Sequence, residues 1–281
     1  MTYRYEIAGV PISFRSPFRI ADGKYDGSFR KEGTVSDIFC PITLTDAFSA
    51  PKGKKIFSGY LSNLFVDRET VTNDQTESPE GRVVFRSVYR TDGSHMIPVT
   101  ADRGAAERMT LDRLWSAVDL PFQLSFRSVV TLHSASVDIG GKALLFCAPS
   151  GTGKSTQAGL WEKHRGAVIL NGDKNALGFC RSVPFAFGLP FCGSSGICRN
   201  YALPIAAIVV LSQSGRNEIT RLDIPRAVAS VTENCVGHNV IPGTAFRTAN
   251  TVFDLAAKVP VYHLACTPDE DAVRVLEGVL P

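Results

Sequence analysis

The stretch "LLFCAPSGTGKSTQAGLWEKH", residues 144–164, decides the fold. An apolar run ends at Ala148 and passes through Pro149, Ser150, Gly151, Thr152 and Gly153 to reach Lys154, Ser155 and Thr156. The run reads as a short buried strand, and the residues from Lys154 onward read as a helix. Strand, glycine-containing loop and helix in that order form a P-loop (Walker A) pattern, a device for holding phosphates. Its glycines give the backbone conformations closed to other residues, so that successive N–H groups converge on phosphate oxygens. The helix adds unpaired N–H donors and the positive end of its dipole. Pro149 to Thr156 are therefore the candidate nucleotide-binding residues, with Lys154 expected on the terminal phosphates and the Ser155 hydroxyl on Mg²⁺. The first position of the pattern is Ala148 instead of glycine, the smallest replacement, at the strand end and outside the wrapping turn.

A phosphate site that does chemistry needs a carboxylate for the metal at the end of a neighbouring strand. "AVILNGDKNAL", residues 167–177, supplies Asp173, nineteen residues after Lys154. The competing reading of Asp173 is an Asx turn that closes the strand. Lys174 beside it is either a phosphate contact or a turn residue.

Around these motifs the chain is a globular one of 281 residues, 44% apolar and 20% charged. Thirty Lys and Arg against 27 Asp and Glu leave a formal charge of +3, too small and too scattered for a nucleic-acid face. No apolar run is long enough to cross a membrane as a helix. The opening "MTYRYEIAGVPISFRS" has neither the charged nor the apolar region of a secretory signal. Seven cysteines without two-residue spacing, most of them in apolar runs, read as reduced buried thiols, so a cytoplasmic location is expected.

The first hundred residues alternate and turn often, which predicts short, mainly antiparallel strands. Within them "DRETVTNDQTESPEG", residues 67–81, is the most polar stretch and is expected as an exposed hairpin tip or loop. "AAERMTLDRLWSAV", residues 105–118, has helical spacing, with Met109, Leu111, Leu114, Trp115 and Val118 on one side. Further strands are expected at 134–139, 143–147, "GAVILNGD" and "YALPIAAIVVLSQ". Two C-terminal helices are expected at 225–235 and 268–280, the second opened by a Thr267–Glu270 capping box. Trp115 and Trp161 are expected in the core, His263 in a strand and His238 in a loop. The fold expectation is an α/β P-loop domain over residues 121–281, preceded by a small β-rich domain over residues 1–120 for substrate or partner recognition.

The order of pieces over residues 130–211 resembles the C-terminal domain of bacterial HPr kinase/phosphorylase. The matching segments are "LHSASV" with His133, "PSGTGKST", "RGAVILNGD" and "FCGSSGICRN". The "SGTGKST" form is also similar to the nucleotide site of ATP-dependent phosphoenolpyruvate carboxykinase, although the chain is too short for that enzyme. Closer company is the looser set of HPr kinase-like proteins of bacterial peptide-modification clusters, some of which phosphorylate a peptide serine. The resemblance implies a fold of the HPr kinase/phosphoenolpyruvate carboxykinase type, with His133 beside the loop and Asp173 as metal ligand. In the "GSSG" segment, Ser194, Ser195 and Gly196 form either a second anion-binding turn, with Arg199 stabilising the transferred phosphate, or an ordinary surface loop. The family's paired acids appear as Gly172–Asp173 or Asp173–Lys174, so one carboxylate is missing and the base is His133 or Asp173.

The function implied is a Mg²⁺-dependent kinase using ATP or another nucleoside triphosphate. Its γ-phosphate would go to a hydroxyl, serine above all, of a peptide, protein or small molecule. The missing acid supports a second reading, a nucleotide-binding regulatory module with little or no transfer. Use of pyrophosphate or phosphate is a variant of the first. The apolar C-terminal helix and the resemblance leave homo-oligomerisation open.

Overall fold

The computed structural model describes residues 1–21, 26–33 and 36–281. Among them the chain is a mixed α/β protein with sheets of eight and nine strands and six α-helices. It divides into two compact units, Met1–Arg127 with His238–Ala245, and Ser128–Gly237 with Phe246–Pro281. The first division falls just past the expected boundary near residue 120. The return of 238–245 to the first unit has no local sequence signal. No helix of the described residues is long and apolar enough to cross a membrane.

The first unit carries β1 (Thr2–Ile7), β2 (Val10–Arg15), β3 (Ile38–Thr45), β4 (Lys54–Ser58), β5 (Ser62–Asp67), β6 (Thr70–Thr76), β7 (Val83–Arg90) and β8 (Val99–Asp102). Helices α1 (Leu111–Ala117) and α2 (Leu120–Ser125) follow. The sheet order is β1-β2-β3-β8-β7-β6-β5-β4. Its pairings are mainly antiparallel, as the short alternating runs predict, but β2–β3 and β3–β8 are parallel. Trp115 is fully buried, edge-on to Tyr5 and Phe14 at 5.2 and 5.1 Å.

Two expectations for this unit hold only in part. The stretch 67–81 is exposed only at its two turns, Arg68–Glu69 and Glu77–Glu80, and β6 between them is buried from Val71 to Thr76. Asp74 is paired with Arg86, and the Asn73 amide donates to the carbonyls of Ser116 and Ala117 at 3.0 Å each. Burial of such groups is tolerated only when each is hydrogen-bonded. The expected helix at 105–118 is broken into a 3-10 turn at Ala106–Arg108 and α1, although its named apolar residues are all buried as expected.

The second unit carries β9 (Val130–Asp138), β10 (Ala143–Cys147), α3 (Lys154–Arg165), β11 (Val168–Asn171), β12 (Lys174–Cys180), β13 (Val183–Gly188) and β14 (Ala202–Gln213). It continues with β15 (Glu218–Arg221), α4 (Ile224–Glu233), β16 (Cys235–Val236), α5 (Thr244–Ala256), β17 (Val261–Cys266) and α6 (Glu270–Glu277), α5 beginning in the first unit's 238–245 segment. Three parallel strands, β10, β14 and β17, form the centre. Leu144 and Phe146 of β10 face one core with Ala158 and Trp161 of α3 and Leu276 of α6. Leu145 and Cys147 face another with Val231 of α4 and Leu255 of α5. Helices on both faces are why β10 reads as an unbroken apolar run instead of an alternating one.

Of the C-terminal helices, α4 and α6 lie where expected, but a third, α5, lies between them. Its sequence "TAFRTANTVFDLA" holds three Thr and one Asn, which favour helix weakly, and its buried Thr244, Thr248, Thr251, Val252 and Leu255 supply the reason it forms. The Thr267–Glu270 capping box is replaced by Asp269, whose carboxylate accepts the Ala272 N–H at 3.2 Å. Thr267 instead donates to Asp269 at 2.6 Å.

Candidate functional site

Strand register brings the motifs together. β9 is antiparallel to β10, with Ser134 opposite Cys147, and antiparallel to β12, with His133 opposite Lys174. The loop that leaves β10 after Cys147 and the corner that enters β12 at Asp173 therefore flank the same two residues of β9. The Ser134 N–H donates to the Asp173 carbonyl at 3.0 Å, closing that corner.

The loop has the conformation that its glycines allow. Gly151 and Gly153 have φ of +81° and +118°, values strained for any side chain, and Gly153 caps α3. Lys154, nearly buried, lays its Nζ on the loop's own carbonyls, Ala148 at 2.8 Å and Pro149 at 3.1 Å. Burial lowers its pKa, opposed by the charge of Asp173.

A cleft of about 260 Å³ lies over this loop. Ser150, Gly151, Gly153, Lys154 and Ser155 line one side, and His133, Gly172, Asp173 and Ser194 the other. Thr152 and Thr156 line a second cleft, and Pro149 contributes only its carbonyl, to Lys154 and Thr152. His133 Nε2 stands 3.6 Å from Asp173 Oδ1, beyond hydrogen-bond length, so neither atom is consumed by the other. The His133 pKa is lowered by burial and by Lys154 and Lys174, with Asp173 opposing. These surroundings favour the neutral ring.

Asn171, not Asp173, makes the Asx turn at the end of β11: its Oδ1 accepts the N–H of Asp173 at 2.8 Å and of Lys174 at 3.1 Å. The Asp173 side chain is left for the cleft. Lys174 Nζ lies 2.7 Å from Asp173 Oδ2 and 5.4 Å over the Phe191 ring. That ion pair joins neighbours in sequence, and only the corner geometry reveals it.

Arg199 does not join the site. Its Nε donates to the Ile169 carbonyl at 3.0 Å, and it is not among the residues lining the cleft. The register explains this: the Arg199 N–H bonds the Leu170 carbonyl, so its side chain reaches back along β11, away from Asp173. The "GSSG" turn is adjacent to the cleft, but Ser195 is spent on itself, donating to the Cys192 carbonyl at 2.7 Å and accepting the Ile197 N–H at 3.2 Å. Ser194 alone of the two serines lines the cleft.

Among the described residues no group of three His, Cys, Asp or Glu side chains could hold a metal ion. Ser155 and Asp173 do face one cleft, so a divalent ion fits there only if phosphate oxygens complete its shell, which is how Mg²⁺ is commonly held with nucleotides. In comparisons with known proteins, no family model and no curated sequence matches the chain.

Proposed function

We propose that the protein is a Mg²⁺-dependent kinase that moves the γ-phosphoryl group of ATP, or of another nucleoside triphosphate, to a hydroxyl of a peptide, protein or small molecule. One observation carries this reading: a single cleft gathers the loop, Lys154, Ser155, Asp173 and His133. The similarity of these segments to HPr kinases points the same way.

In this mechanism the loop N–H groups and Lys154 hold the β- and γ-phosphates. Ser155 and Asp173 hold the metal, which neutralises charge on the phosphate oxygens when bound. The acceptor oxygen attacks the γ-phosphorus, the bond to the β–γ bridging oxygen breaks, and the nucleoside diphosphate leaves. The hydroxyl proton passes to His133 Nε2. Asp173 is the weaker candidate for that proton, because Lys174 already neutralises one of its oxygens. Arg199 has no part in this mechanism.

The test is transfer of label from γ-³²P ATP with Mg²⁺ into an extract of the source organism, with Asp173→Asn as control. Label in a peptide, protein or metabolite fraction, absent in the control, is the expected result. Lys154→Ala should abolish nucleotide binding, and normal binding by that variant would overturn the phosphate-loop assignment. The lone carboxylate paired to Lys174 favours one other reading, a nucleotide-binding regulatory module, whose signature is tight binding without transfer.

A further inference from the structure

Among the described residues, three hydroxyl side chains line the cleft over the phosphate loop: Ser150, Ser155 and Ser194. Ser150 and Ser155 belong to the loop wall, the side that holds the donor's phosphates and hence the leaving group. Ser194 stands on the facing wall, with His133 and Asp173. In phosphoryl transfer the attacking and leaving oxygens lie roughly in line across the phosphorus, so an acceptor enters from the wall opposite the leaving group. Ser194 is the hydroxyl on that wall.

We propose that Ser194 is a modification site: when no outside acceptor fills the cleft, the protein transfers the γ-phosphoryl group of its own bound nucleotide to Ser194. The proposal rests on reading the protein as a kinase. Ser194 Oγ attacks the γ-phosphorus, and the bond to the β–γ bridging oxygen breaks. The nucleoside diphosphate leaves, and the hydroxyl proton passes to His133 Nε2. The products are phosphoserine and the diphosphate, and no other reactant is consumed.

Three features of the site support this. The cleft, at about 260 Å³, is smaller than the roughly 300–1,000 Å³ that encloses a whole small organic ligand, so it suits phosphoryl groups held between its two walls. The turn that carries Ser194 is tied to the Asp173 corner. There the Gly172 N–H donates to the Ile197 carbonyl at 3.2 Å, and Asn171 pairs with Cys198. Finally, the two serines of the turn divide its work. Ser195 Oγ holds the turn together, donating to the Cys192 carbonyl and accepting the Ile197 N–H, whereas exposed Ser194 makes neither bond.

The experiment is incubation of the phosphatase-treated full chain with γ-³²P ATP and Mg²⁺ at several protein concentrations, with no other acceptor added. Label in the chain is followed on denaturing gels and mapped by mass spectrometry. The expected result is phosphate on Ser194 of the wild type, with a rate per molecule independent of protein concentration. Ser194→Ala should lose the label, and Ser194→Thr should carry it as phosphothreonine. A phosphoserine brings a charge of about −1.5 to −2 into the cleft that takes the donor's phosphates. The phosphorylated chain is therefore expected to bind tripolyphosphate at least roughly tenfold more weakly than the treated one. Phosphate mapped to another residue, a rate that rises with protein concentration, or label that survives in Asp173→Asn overturns the proposal. Equal tripolyphosphate binding by the two forms overturns the placement of the phosphoserine in the cleft. An unlabelled chain that still labels an acceptor in the extract of the source organism overturns self-transfer and leaves the kinase reading standing. Absence of transfer to either overturns both.

Discussion

Lys174 holds one oxygen of Asp173 while the other faces His133: Nζ lies 2.7 Å from Oδ2, and Oδ1 lies 3.6 Å from Nε2. The carboxylate is thereby divided between a fixed cation and the cleft. Removing the cation leaves more negative charge for a metal. Lys174→Met is therefore expected to bind Mg²⁺ together with nucleotide more tightly, by roughly 1 kcal/mol or about fivefold, the upper end for a single charge pair at a solvated surface. A Mg²⁺ titration of nucleotide binding checks this, and weaker Mg²⁺ dependence on affinity in the variant would contradict it.

Gly193 lets the neighbouring turn lie against that carboxylate. Its φ is +53°, and a β-carbon there would stand 2.8 Å from Asp173 Cβ. Gly172 serves the same contact from the other side, since its β-carbon would collide with the Ser195 side chain. Gly193→Ala is expected to cost about 1–2 kcal/mol from the left-handed backbone alone, more with the clash, and to lower Tm by several degrees. Its particular signature is loss of the Asp173-dependent metal effect with tripolyphosphate binding retained, because the loop itself is untouched. A variant with wild-type Mg²⁺ dependence would show that the turn does not position Asp173.

These relations mark how far the sequence could be read. The loop, β10, α3 and the Asp173 corner were legible because their signals are local: glycines at positive φ, a continuous apolar strand, a carboxylate at a strand end. The position of Arg199 was not, since it depends on which carbonyl a non-local pairing brings within reach, and the Lys174–Asp173 pair depends on the backbone geometry of the corner. β6 was misleading for a related reason. "TVTNDQT" reads as solvent-facing until Arg86 and the end of α1 supply partners. In α5 the burial of Thr244, Thr248 and Thr251 outweighs weak helix propensity, and nothing within the segment announces that burial.

The His133 ring offers a pH test of the proposed transfer. Burial, then Lys154 and Lys174, hold its pKa below the ordinary value of about 6.5, against the opposing charge of Asp173. A base must be neutral to accept the acceptor's proton. The rate is therefore expected to rise with pH through a pKa below about 6.5 and to stay level above it. His133→Gln should lose this profile and about 10²- to 10⁴-fold in rate, with nucleotide affinity little changed. An unchanged profile in the variant would move the base elsewhere.

In the first unit a second histidine has the opposite sign. His238 Nδ1 lies 2.7 Å from Asp119 Oδ2, the same oxygen that accepts the Tyr89 hydroxyl at 2.9 Å, and its ring meets Phe57 edge-on at 4.8 Å. Burial disfavours the protonated ring, but the hydrogen bond and charge of Asp119 outweigh it, and the His238 pKa is raised. Asp119 is buried, and among the described residues His238 is its one cationic hydrogen-bond partner, while Tyr89 stays protonated because burial and Asp119 push its pKa up. A group whose folded pKa is raised binds its proton more tightly in the native state. Its stabilisation is full below the unfolded value of about 6.5 and is lost as pH rises through the folded pKa. Denaturant midpoints measured from about pH 5.5 to 9 are expected to fall across that window in the wild type and to be flatter in His238→Gln, which keeps a hydrogen-bond donor for Asp119 without the titrating charge. Equal pH slopes in the two proteins would show that the pair does not hold the 238–245 segment through its charge.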